Sequence, residues 1–85
     1  MEQAKLNDEL KDILRECLFE PNLEFNLNAD LRNEIGLDSM GAVDLMIKLE
    51  ESYKIKIYDT ELDEIKTFQH LSNFVMNKIQ SQDSH

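Results

Sequence analysis

The sequence predicts an all-α fold: a small four-helix bundle of three main helices and one short third helix, with a long loop between helices one and two. Three observations carry that prediction. Apolar residues recur at spacings of three and four in three separate stretches. The one alternating run, "KIKIY", is too short to build a sheet. No glycine-rich linker, repeat or low-complexity tract divides the chain. A chain of 85 residues makes a single domain, which buries about 60 to 65% of its unfolded surface. That domain is expected to fill residues 1–85, with a core over about 4–80 and a frayed polar tail at 81–85.

The first helix is expected from about residue 4 to 19. Leu6, Leu10, Ile13, Leu14, Cys17 and Leu18 fall on one side of it, and Asn7, Asp8, Glu9, Lys11, Asp12, Arg15 and Glu16 mostly take the wet side. The next stretch, "EPNLEFNLNADLRNEIGLD", holds Pro21, four Asn and Gly36 without a clean period, so it reads as a long connection. Leu23, Phe25, Leu27, Leu31, Ile35 and Leu37 are too many apolar groups for a free tail, so the loop is expected to pack over the helices with a helical turn near Asp30. The second helix is expected to start at Asp38 or Ser39, both favoured cap types, and to end near Tyr53. "DTELDEI" offers one or two turns from Asp59, and Thr67 can cap a last helix on which Phe68, Leu71, Phe74, Val75 and Ile79 keep the helical period. The core is expected to be built on Leu10, Ile13, Leu14, Leu45, Leu49, Tyr53, Leu71 and Val75.

Charge excludes several classes of partner. Nine Lys and Arg stand against 18 Asp and Glu, a net charge of -9, so a nucleic-acid backbone or an anionic membrane surface would repel the chain. Its partners should be basic. One cysteine, Cys17, allows neither an internal disulfide framework nor a Cys-based zinc site. No stretch approaches the roughly 18 apolar residues of a membrane span, and "MEQAKLNDEL" has no apolar run of signal-peptide length. A cytoplasmic, soluble monomer is expected. A calcium loop at "DTELDEIKTFQH" is disfavoured because its sixth position is not Gly and its twelfth is not Glu.

Winding residues 40–53 at about 100° per residue separates two apolar faces. Ala42, Leu45, Met46, Leu49 and Tyr53 form one, with the breadth of a core face. Met40, Val43 and Ile47 form a second strip centred roughly 140° away, bordered by Asp44, Lys48 and Glu51, with Glu50 near its other edge. Either the loop covers this strip or partners dock on it. The second reading is preferred, because the first face already supplies a core and acids flank the strip.

Ser39 stands at the start of that helix, where serine is ordinarily only a cap. Its setting says more. The run Ile35-Gly36-Leu37-Asp38-Ser39-Met40, followed by an acidic amphipathic helix, resembles the attachment motif of the acyl carrier protein family, whose core is Gly-x-Asp-Ser-Leu or a close variant. The resemblance spans most of the chain, including the order of helices and Leu45, Leu49 and Tyr53 downstream. It implies that Ser39 takes a 4'-phosphopantetheine group through a phosphodiester, from coenzyme A, by a magnesium-dependent phosphopantetheinyl transferase. Acyl or aminoacyl groups then ride as thioesters on the arm's thiol. Asp38 is the acid adjoining the serine in the motif, and Gly36 is expected to permit a tight approach before it. The implied partners are the transferase, an acyl- or aminoacyl-loading ligase or transferase, and synthase enzymes with basic docking patches. Met40, Val43, Asp44, Ile47, Glu50 and Glu51 are the expected docking residues, supported by Asp59, Glu61, Asp63 and Glu64 near the third helix. The chain is then a substrate of enzymes and not itself a catalyst. A serine hydrolase is disfavoured, since Asp38-Ser39 has no nucleophile elbow and no histidine nearby in sequence.

Three departures bear on the pathway. Met40 replaces the usual Leu, and Tyr58 stands where Pro is common. Gly41 stands where many carriers of fatty acid synthesis have an acid, and the Ser-apolar-Gly order is similar to D-alanyl carrier proteins and some specialised carriers. A glycine there is expected to serve close approach of a partner or of the arm. The alternatives to a carrier of fatty acid, polyketide or related biosynthesis are therefore a specialised D-alanyl or aminoacyl carrier and, outside the carrier class, an acidic helical adaptor that is never modified. A straight acyl chain needs a cavity, for which Met46, Leu49, Leu62 and Ile65 are the candidate walls.

Overall fold

The computed structural model describes residues 2–83. Four helices follow in order: α1 (Gln3–Leu18), α2 (Ser39–Tyr53), α3 (Asp59–Leu62) and α4 (Phe68–Asp83). Among the described residues the only β pairing is an isolated bridge between Asp30 and Thr67, so "KIKIY" is an extended link. Its Ile55 and Ile57 turn inward and are buried. The tail expectation needs correction: α4 continues to Asp83, so residues 81–83 are helical, and 84 and 85 lie outside the described residues.

Helix α1 buries Leu6, Leu10, Leu14 and Cys17 along one stripe. It ends because Phe19 turns left-handed (φ 57, ψ 37). That turn lets the amides of Phe19 and Glu20 bond back to the carbonyls of Glu16 (3.3 Å) and Arg15 (3.0 Å). Helices α1 and α2 run antiparallel, since the Tyr53 hydroxyl donates to Glu9 at 2.8 Å while Lys48 reaches Glu16 at 3.9 Å.

The long loop packs on the bundle as expected. Ala29, Leu31, Ile35 and Leu37 are buried in it. Asp30 organises its turn: the carboxylate accepts from the amides of Arg32 (2.9 Å) and Asn33 (2.8 Å), and the carbonyl accepts from Glu34 and Ile35. These backbone amides hold the Asp30 carboxyl below its ordinary pKa. The loop is stitched to the start of α4 by Leu31 to Lys66, Phe68 to Ala29 and Gln69 to Leu27 amide–carbonyl bonds of 2.8 to 3.1 Å. Phe25 meets Phe68 edge to face, with centroids 5.0 Å apart.

The core centres on Leu6, Leu10, Leu14, Leu45, Leu49, Phe68, Leu71 and Val75, all fully buried. Two expected core members sit at its edge. Ile13 and Tyr53 are half-buried, and Tyr53 stays at the margin because its hydroxyl bonds to Glu9. Burial and that carboxylate push its phenol pKa up, so the hydroxyl remains a donor. Among the described residues Ser72 is the one buried polar residue. It lies on the apolar stripe of α4, four residues after Phe68, where Asn7 accepts its hydrogen bond and the Gln3 amide donates to it at 3.1 Å.

Candidate functional site

The loop delivers Asp38 to the start of α2 through two local features. Gly36 adopts φ +90°, a left-handed conformation that side chains rarely accept. A Cβ added there meets nothing within 4 Å, so within the fold the glycine is required by its conformation and not by a close internal neighbour. The Leu37 amide then bonds to the Leu31 carbonyl at 2.8 Å and its side chain is buried. Asp38, not Ser39, is the cap: its Oδ1 accepts from the Gly41 amide at 2.7 Å, and its carbonyl accepts from Ala42 at 2.8 Å. Ser39 is therefore the first helical residue. Its side chain is exposed and makes no hydrogen bond among the described residues.

Gly41 has a packing reason that the sequence alone does not show. It is buried, and a Cβ there would stand 3.0 Å from Leu37 Cδ1 and 3.2 Å from Asp38 Oδ1. The glycine makes room for the loop's own leucine and for the cap. This replaces the expectation that it serves a partner or an arm.

The second strip of α2 is open. Met40 is 79% exposed, Val43 48% and Ile47 45%, so the loop does not cover them. Ser39, Met40, Val43 and Asp44 line an open groove of about 330 Å³. Asp44 and Glu51 are exposed at the strip's edge. Glu50 differs from the docking expectation: its carboxylate accepts from the Ile57 amide at 2.9 Å and so anchors the link that follows α2. Of the four acids near α3, Asp59, Asp63 and Glu64 are exposed, whereas Glu61 is engaged. Its carboxylate pairs with Lys78 at 2.9 Å and accepts from the Tyr58 amide at 3.1 Å, and both contacts lower its pKa. A proline at position 58 could not make that second bond, which accounts for a residue other than proline there.

Beneath the site is a cavity of about 20 Å³ lined by Leu31, Leu37, Ala42, Leu45, Leu62, Ile65 and Leu71, with Arg32 at its wall. It holds the volume of about one water molecule. Leu62 and Ile65 line it as expected. Met46 and Leu49 do not: Leu49 is fully buried in the bundle and Met46 is half-buried elsewhere on α2. Among the described residues no histidine lines the groove at Ser39. His70 lies against α3 and α4 instead, its Nδ1 accepting from the Thr67 amide at 3.4 Å while Thr67 Oγ1 caps α4 through the His70 amide at 3.2 Å.

The bundle thus presents an unengaged hydroxyl at a capped helix start, beside an open apolar strip. Residues 8–75 match the model of the family described as phosphopantetheine attachment site, and the chain belongs to that family. It is 30% identical over 79 residues to the acyl carrier protein of Coprothermobacter proteolyticus, covering 93% of this chain and 96% of the relative. It is 32% identical over 73 residues to that of Buchnera aphidicola, covering 86% and 91%. A solution structure of holo acyl carrier protein from Geobacter metallireducens superposes with a TM-score of 0.80 at 25% identity, covering 93% of this chain and 91% of that one. A crystal structure of acyl carrier protein from Thermotoga maritima shares the fold, with a TM-score of 0.82 at 23% identity over 95% and 94% of the two chains. The cofactor of the family is 4'-phosphopantetheine, and its members carry and do not catalyse. No helix among the described residues is long and apolar enough to cross a membrane.

Proposed function

We propose that Ser39 is the attachment point of 4'-phosphopantetheine and that the chain, as one carrier domain, presents acyl intermediates to the enzymes of fatty acid, polyketide or related biosynthesis. The observation that carries this reading is the division of labour at the start of α2. Asp38 takes the cap, so the Ser39 hydroxyl is exposed without a partner among the described residues. The amides of Ser39 and Met40, also without partners among the described residues, and the positive end of the helix favour a phosphate there by about 0.3 to 1 kcal/mol. When bound, the group supplies a terminal thiol that holds acyl cargo as a thioester. The apolar walls Leu62, Ile65, Leu45 and Leu71 then offer cargo a dry lining, once the small cavity widens.

Acyl cargo is favoured over aminoacyl cargo by two facts. The relatives are named acyl carrier protein, and Gly41, which resembled the D-alanyl carriers, has a local packing reason. Met40, Val43 and Ile47 with Asp44 and Glu51 form the docking face for basic partners: the phosphopantetheinyl transferase, an acyl-loading enzyme and synthases. Exposed pairs of this kind give fast, weak, salt-sensitive encounters, which suits a shuttle. The reading places a monomer in the cytoplasm, where buried Cys17, its thiol pKa raised by desolvation, stays reduced.

The test is intact mass after incubation with coenzyme A, magnesium and a broad-specificity phosphopantetheinyl transferase. One phosphopantetheinyl group should add to the wild type and none to Ser39→Ala; modification surviving in that variant overturns the assignment. Asp44→Lys and Ile47→Ala should slow the reaction more than their melting temperatures fall. Rates lost only in proportion to stability would remove the docking face from the proposal.

A further inference from the structure

We propose that Phe19 and the groove beside it form a second part of the docking surface, which takes an apolar side chain of the basic transferase that modifies Ser39. The proposal rests on the reading of Ser39 above. It starts from a residue that neither backbone nor burial explains. The end of α1 requires a left-handed residue at position 19, because only that conformation returns the amides of residues 19 and 20 to the carbonyls of Glu16 and Arg15. Glycine is the ordinary occupant of such a turn, and a bulky aromatic there is strained. The ring gains nothing from packing in exchange, since Phe19 is 90% exposed, more than any other large apolar side chain among the described residues. A residue costly in both respects points to an interaction outside the chain.

The surroundings say what kind. Phe19 borders an open groove of about 670 Å³ lined also by Asp12, Arg15, Glu16 and Pro21. Arg15 is engaged by Asp12 at 2.9 Å and Glu24 at 3.7 Å, and Lys48 by Glu16 at 3.9 Å. Glu20 is exposed beside them, so Asp12, Glu16, Glu20 and Glu24 stand against Arg15 and Lys48 and the rim around the ring keeps a net negative charge. An apolar anchor in an acidic rim fits an apolar side chain flanked by Lys or Arg. The site also lies within reach of the first. The pairs Tyr53 with Glu9 and Lys48 with Glu16 set an antiparallel register in which residue 19 stands level with residues 43 to 45 of α2. Asp44 shares its groove with Ser39, so one partner of ordinary footprint, about 800 Å² per side, covers both anchors.

The experiment measures transferase kcat and KM for wild type, Phe19→Asn and Phe19→Leu, with melting temperatures and sedimentation. Asparagine tolerates the left-handed turn but removes the ring; leucine keeps an apolar anchor. Phe19→Asn should melt at or above the wild-type temperature and raise KM roughly tenfold with kcat little changed, while Phe19→Leu should stay within about threefold. A KM for Phe19→Asn within about twofold of wild type overturns the inference and leaves the Ser39 assignment standing. Absence of any mass gain on the wild type overturns both. A wild-type dimer that Phe19→Asn abolishes would assign the surface to a second copy and overturn the transferase proposal.

Discussion

Asp38 and Ser39 are adjacent, both are good caps by type, and only one of them caps. The contact from Asp38 Oδ1 to the Gly41 amide at 2.7 Å settles which. Asp38→Ala should therefore destabilise the domain by about 0.5 to 2 kcal/mol, while Ser39→Ala, which removes no intramolecular bond, should change stability by less than about 0.5 kcal/mol. Denaturant melts of the two variants check this, and equal losses would show that the serine shares the cap. At this scale the sequence was legible in type and illegible in partner. Gly36 and Gly41 both stood out as glycines of the motif region. Their separate reasons, a φ of +90° and the proximity of Leu37 and Asp38, depend on where the loop places those side chains. Phe19 gave no signal, because position 19 becomes costly for a phenylalanine only once the helix is known to end there.

Helix α3 has four residues, none of them fully buried, and packs only Leu62 against the core. It is held from outside by Lys78, whose ammonium pairs with Glu61 and sits over the rings of Phe74 at 5.4 Å and Tyr58 at 5.7 Å. Glu61 and Asp30 are both held below their ordinary pKa values, Glu61 chiefly by Lys78 and Asp30 by the Asn33 and Arg32 amides. A depressed folded value means that their contribution is full above the ordinary carboxylate range and is lost as pH falls through the lowered values. Below roughly pH 4, α3 and the 31–35 turn should lose amide protection before α4 does. Hydrogen exchange followed from pH 6 to pH 3 measures the order. Lys78→Met should loosen α3 even at pH 7, and equal protection of α3 and α4 throughout would contradict this account. The start of α3 at Asp59 was readable from the sequence. Its clamp was not, because residues 61 and 78 are 17 positions apart and meet only when α4 folds back.

For the whole molecule two forces oppose. The bundle is held by one apolar core, so Leu49→Ala, at a fully buried position, should cost about 2 to 5 kcal/mol. A loss below about 0.5 kcal/mol in urea melts would mean that α2 faces the wrong way. Against the core stands a net charge of -9, which repels itself in the folded state. Added salt should therefore raise the melting temperature while it slows modification at Ser39, since exposed charges are screened over about 8 Å at physiological ionic strength. Melting and modification rate measured over one salt series would test both signs, and the two rising together would remove electrostatic docking.

Periodicity and residue type, which are local, determined the all-α class, the order of the helices and the bounds of the first two to within a residue, the long packed loop and the two faces of α2, because a helix repeats every 3.6 residues wherever it is. The family motif around Ser39 is equally local. Only the three-dimensional structure decided which partner each side chain takes: that Asp38 caps and leaves the serine free, that Glu50 and Glu61 are spent on the link after α2 and on α3, that Ser72 is satisfied by α1, and that the cavity is walled by the loop with Ala42, Leu45, Leu62, Ile65 and Leu71 and not by Met46 and Leu49. The Glu61, Ser72 and cavity contacts join segments far apart in the chain and are set by how the faces pack against one another, while the two nearer ones, Asp38 to Gly41 and Glu50 to Ile57, are set by the path the backbone takes at either end of α2.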